Sequence, residues 1–124
     1  MNIYTNFTIP TVLYFGMALF GIWLGIAGKP YNNGIFTIHK VLALAFVVLT
    51  IIKLIPYLNE TSLSGLLLLL IILAGLSIIG LFASGAAMSI MEGSTTVLIW
   101  LHRILPFVVL GSIIGILEIL KSFH

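Results

Sequence analysis

The chain has 124 residues, 61% of them hydrophobic and 6% charged, with no cysteine. Five Lys and Arg and three Asp and Glu cannot clothe a water-soluble domain of this length, which excludes a soluble enzyme. The net charge of +2 comes from scattered basic residues that form no nucleic-acid patch, and the lack of cysteine excludes disulfides, thiolate-bound zinc and iron–sulfur clusters.

An apolar helix needs roughly 20 residues to cross the hydrocarbon core of a bilayer. The chain offers four such pieces, predicted at 10–28, 35–57, 63–83 and 96–120. The stretch before the first span has no basic residues, which predicts a retained span and not a cleaved signal peptide. Gly28-Lys29-Pro30 and Asn32-Asn33-Gly34 end the first span and turn the chain into the second, which closes near Pro56. Asn59-Glu60-Thr61-Ser62 separates the second span from the third. Residues 84–95 read as a loop with room for a short interfacial helix before the fourth span. The expected fold is all-α, a four-helix transmembrane bundle forming one domain over 1–124. Lys29, Lys40 and Arg103 outnumber Lys53 and Lys121 across the bilayer, so the positive-inside rule places both termini outside, in the expected plasma membrane of a bacterium.

The sequence repeats itself. Ile38-His39-Lys40-Val41-Leu42 recurs as Leu101-His102-Arg103-Ile104-Leu105, an offset of 102 − 39 = 63 residues. Each copy opens a span that enters from the same side, so the expected bundle is built from two repeated helical hairpins related by an axis along the membrane normal.

A strongly coordinating side chain within a membrane span is costly and marks a candidate site. His39 and His102 occupy the first turns of the second and fourth spans, and neutral imidazole is a strong ligand for haem iron. The economical reading is one haem b with His39 and His102 as its metal ligands, held without covalent attachment because cysteine is absent. Gly21, Gly25 and Gly28 on the first span, and Ser77, Gly80 and Ser84 on the third, are small enough for a porphyrin to approach the backbone. Lys40 and Arg103, each following a histidine, would pair with haem propionates together with Lys29. Each feature also has an ordinary reading. Small residues pack transmembrane helices without a cofactor, and lysine and arginine near span ends anchor in the interface. His124 reads as solvated, and Met88 and Met91 as membrane-surface contacts.

Helical phase puts His39, Ala43, Phe46, Thr50 and Lys53 on one stripe that should face the interior, with His102, Pro106, Val109, Ile113 and Ile116 as the corresponding face of the fourth span. Gly111 and Gly115 form a small-residue pair about half a turn from His102, open to a neighbouring span, a second copy or a partner subunit.

With its four spans and the two histidine pentapeptides, the chain resembles the small four-helix membrane b-type cytochromes, a broad group of bis-histidine electron carriers. The resemblance implies haem b and electron exchange with a quinone or a redox partner protein, in an oxidoreductase or electron carrier. Diheme members carry a second histidine pair near the other surface. Lys53 and Ile116 stand at comparable depth here, which puts a second haem in doubt. The competing readings are a non-catalytic haem- or metal-binding sensor, a small accessory subunit, and a small transporter using His39 and His102 as proton-binding groups.

Overall fold

The computed structural model describes residues 2–93 and 95–124. Five α-helices follow in chain order: α1 Ile3–Asn6, α2 Thr8–Ala27, α3 Asn33–Asn59, α4 Gly65–Ile90 and α5 Thr96–Lys121, with no strand among the described residues. The fold class is all-α. The helices α2 to α5 are each long and apolar enough to cross a membrane, so the chain is an integral membrane protein. Their outward faces carry large apolar side chains suited to lipid, Ile26 at 82% and Phe107 at 73% exposure among them.

The chain divides into two compact units, Met1–Glu60 and Thr61–His124. Each is a helical hairpin, α2 against α3 in the first and α4 against α5 in the second. In the first hairpin Gly21 meets His39 near the connecting loop, Tyr14 meets Phe46 with ring centroids 5.3 Å apart, and the Asn6 side-chain amide donates to the Tyr57 hydroxyl at the far end. In the second, Gly85 meets His102, Gly80 meets Leu105 and Gly115 meets Leu70. Both sequences of contacts run antiparallel.

Local chemistry sets the helix ends. The Asn32 side chain accepts from the amides of Gly34 and Ile35, Ser64 from Leu67, and Thr95 from Leu98. Each satisfies amides that a helix start otherwise leaves without partners. Gly28 follows α2 with φ +70°, a region that disfavours any side chain, and so lets the chain leave the helix there.

Two boundaries differ from the sequence reading. The segment before Pro10 is ordered: Asn2 caps α1, and Ile3 and Phe7 are buried, with the Phe7 ring 6.4 Å from that of Tyr57. Helix α2 then begins at Thr8, with Pro10 in its first turn, where a missing N–H leaves no helical bond unmade. Helix α4 continues through Ile90, so Ser84–Ile90 is helical, and of the rest of the expected 84–95 loop residue 94 lies outside the described residues. Ala86, Ala87 and Met88 are strong helix formers, and Gly85 is covered by an imidazole, so the polar residues there do not end the helix.

The interior stripes follow the expected phase. Phe46 and Thr50 are the buried residues of α3. On α5, Val109 and Ile116 are buried, with Ser112, Leu117 and Leu120 beside them. They face a stripe of small residues on α4, Ala74, Ser77 and Ser84, which lets the backbones approach closely.

Candidate functional site

His39 is the seventh residue of α3 and His102 the seventh of α5. Within its own hairpin each imidazole lies over a glycine of the preceding helix. A Cβ on Gly21 would stand 2.9 Å from His39 Cε1, and one on Gly85 would stand 3.1 Å from His102 Cε1. The glycines make room for rings packed against a helix backbone. One turn further along, Leu42 approaches Gly16, at 3.5 Å from such a Cβ, and Leu105 approaches Gly80, at 2.9 Å. The repeat therefore extends beyond the histidine pentapeptides. Gly16 and Gly21 on α2 correspond to Gly80 and Gly85 on α4, at an offset of 85 − 21 = 64 residues, one more than the offset of the histidines. That difference of one hides the glycine repeat from a comparison made at a single offset.

The polar contacts of the two rings share a logic and differ in one atom. His39 Nδ1 is 2.9 Å from the Met17 carbonyl oxygen. A carbonyl only accepts, so Nδ1 carries the proton and donates. His102 Nδ1 is 2.9 Å from Ser84 Oγ, and Ser84 Oγ is 3.2 Å from the Leu81 carbonyl oxygen. Ser84 Oγ therefore lies between the ring and that carbonyl, either accepting from Nδ1–H while it donates to Leu81 or donating to an unprotonated Nδ1. Leu81 occupies the position of Met17 in the glycine register, 81 − 17 = 64. The second hairpin thus reaches the equivalent carbonyl through a serine hydroxyl, where the first reaches it directly.

The cations beside the histidines are also repeated. Lys40 Nζ lies 4.4 Å from the centroid of Phe36, and the Arg103 guanidinium lies 5.8 Å from that of Trp100. Each aromatic ring belongs to the same helix, one turn nearer its start, so both cations lean toward the loop end of their hairpin. Lys29 Nζ is 5.7 Å from the Tyr31 ring, which stacks on Phe36.

The remaining candidates are distributed otherwise. Around Gly25 and Gly28 a Cβ would meet nothing within 4 Å, whereas the space at Gly80 is filled by Leu105. His124 Nε2 lies 3.2 Å from Thr61 Oγ1, joining the two ends of the second hairpin. Gly115 faces Leu70 of its own hairpin, 3.0 Å from a built Cβ, while Gly111 looks onto open space. The described residues contain no group of three or more His, Cys, Asp or Glu able to hold a metal ion among themselves. Met17 is not visible in the sequence, because a backbone acceptor leaves no signature in residue type, and Gly85 falls in the stretch that reads as a loop.

Compared with protein-family models, with curated proteins and with solved structures, the chain matches none.

Proposed function

We propose that the chain is a membrane b-type cytochrome that holds one haem b through His39 and His102 and exchanges electrons with a quinone or a redox partner protein. The observation that carries this reading is the matched placement of the two imidazoles: each is the seventh residue of its helix, packs over a glycine of the preceding helix and is held through Nδ1. A second hydrogen bond of this kind fixes the orientation of a metal-bound imidazole and raises its basicity. Two neutral imidazoles are a donor set suited to haem iron, which supplies one-electron chemistry when bound.

The chain's own residues do the rest. Gly21 and Gly85 admit the rings, Met17 and Ser84 orient them, and Lys40 and Arg103 offer positive charge toward the loop ends to balance propionates. The same basic residues with Lys29 favour a bacterial plasma membrane topology with the termini outside.

The test is an oxidised and a reduced visible spectrum of the purified, haem-loaded protein. Sharp low-spin bands on reduction are the expected result. A high-spin spectrum would transfer the reading to a five-coordinate sensor, and no haem uptake would reject it.

A further inference from the structure

The connecting loop of the first hairpin gathers two ammonium groups on one aromatic platform. Tyr31 and Phe36 stack with ring centroids 5.8 Å apart and an interplanar angle of 24°. Lys29 Nζ stands 5.7 Å from the Tyr31 centroid, and Lys40 Nζ stands 4.4 Å from that of Phe36. One lysine comes from the loop and the other from α3, so two cations distant in the chain reach the same pair of rings. Both lysines are exposed, and both rings are half-buried. Of the three carboxylates of the chain, Glu60, Glu92 and Glu118, only Glu60 belongs to this unit, and it follows α3 at the opposite end of the hairpin. The loop end therefore carries two positive charges and no carboxylate of its own unit. The Asn32 side chain already accepts from the Gly34 and Ile35 amides, so an anion arriving here is held by the ammonium groups and not by the start of α3. Ile26 at the end of α2 and Ile38 beside Lys40 are exposed. An anion that reaches these lysines thus has apolar side chains beside it, which suits a headgroup carrying acyl chains better than a small hydrated ion.

We propose that the loop end of the first hairpin binds the phosphate of one anionic phospholipid between Lys29 and Lys40, beside the Tyr31 and Phe36 stack. Contact with the rings restricts the lysine side chains before the lipid arrives, so less freedom is lost on binding. The second hairpin is built differently at its loop end: Arg103 rests on a single ring, Trp100, and the connection between α4 and α5 contains Glu92. This inference stands apart from the haem reading, which offers Lys40 to a propionate, and it is tested without haem.

Native mass spectrometry of the full chain, purified in detergent without added haem and incubated with phosphatidylglycerol or phosphatidylcholine, reads the lipid that is retained. One phosphatidylglycerol should be held in preference to phosphatidylcholine. Lys29→Gln and Lys40→Gln should each weaken that retention about fivefold, the equivalent of about 1 kcal/mol for a basic residue near anionic lipid, and Lys40→Arg should preserve it. Lys53→Gln, toward the far end of α3, and Arg103→Gln in the second hairpin should leave it unchanged. Equal retention of the two lipids overturns the proposal, as does an equal loss in all four glutamine variants, which marks diffuse charge attraction. Retention that survives an excess of inorganic phosphate supports a lipid site, whereas displacement by phosphate alone marks a site for the free anion and overturns the lipid assignment. The haem spectrum is read on separate samples, so either reading can fail while the other stands.

Discussion

His39 donates from Nδ1 to the carbonyl of Met17 across the first hairpin at 2.9 Å, and the carbonyl at the matching position of the second hairpin, Leu81, is reached from His102 through Ser84. This correspondence ties the two imidazoles to one structural plan and separates them from His124, whose Nε2 meets Thr61 at the other end of its hairpin. His39→Ala and His102→Ala are each expected to abolish the low-spin spectrum of the haem-loaded protein, and His124→Ala to leave it unchanged. Low-spin bands surviving both single changes would remove these residues from the ligand set.

Side chains added beneath the rings should act by contact distance. Gly21→Ala places a Cβ 2.9 Å from His39 Cε1, closer than the 3.1 Å at Gly85. Overpacking of this kind costs about 1 to 3 kcal/mol. Gly21→Ala should lower thermal stability more than Gly85→Ala, and should shift the NMR signals of His39 while leaving those of His102 in place. Equal effects of the two changes on both rings would contradict the separate packing of each imidazole in its own hairpin.

Thr50 Oγ1 is buried without a hydrogen-bond partner, and the residue is 7% exposed. A buried hydroxyl left unsatisfied costs stability, and replacement by an apolar group of the same shape removes that cost. Thr50→Val is expected to raise stability by about 1 kcal/mol in detergent unfolding experiments, with the haem spectrum unaltered. A loss of stability would show that the hydroxyl is engaged in the folded protein.

Gly111 and Gly115 should separate by position. A leucine at 115 meets Leu70, and Gly115→Leu should lower the unfolding temperature through about 1 to 3 kcal/mol of overpacking. A leucine at 111 points into open space and should leave the hairpin intact. Self-association through this pair therefore reduces to Gly111, and size-exclusion chromatography of Gly111→Leu in detergent reads it: a smaller particle of unchanged thermal stability identifies an interface.

The sequence made the histidine repeat legible because pentapeptides of matching type stand 63 residues apart, and helical phase placed Phe46, Thr50, Val109 and Ile116 inside because the period of a helix survives in residue spacing. Three features were not legible. The glycines beneath the rings repeat at 64 and fall out of step with the histidines. Ser84 and Gly85 resemble loop residues by type, and the His102 ring packed on them together with the helix formers that follow explains why the helix runs through. The orienting carbonyl of Met17 is main chain and could not be seen in side chains at all. The pairing of small residues at Gly111 and Gly115 was visible, but spacing alone could not choose between Leu70 and a second molecule.

The seventh-residue position of both histidines has a directional consequence. Six residues separate each from the start of its helix, roughly 9 Å at about 1.5 Å per residue, whereas 59 − 39 = 20 residues of α3 and 121 − 102 = 19 of α5 lie beyond them, roughly 30 Å. Within each hairpin, the imidazole is therefore within reach of one aqueous compartment and insulated from the other by most of the bilayer.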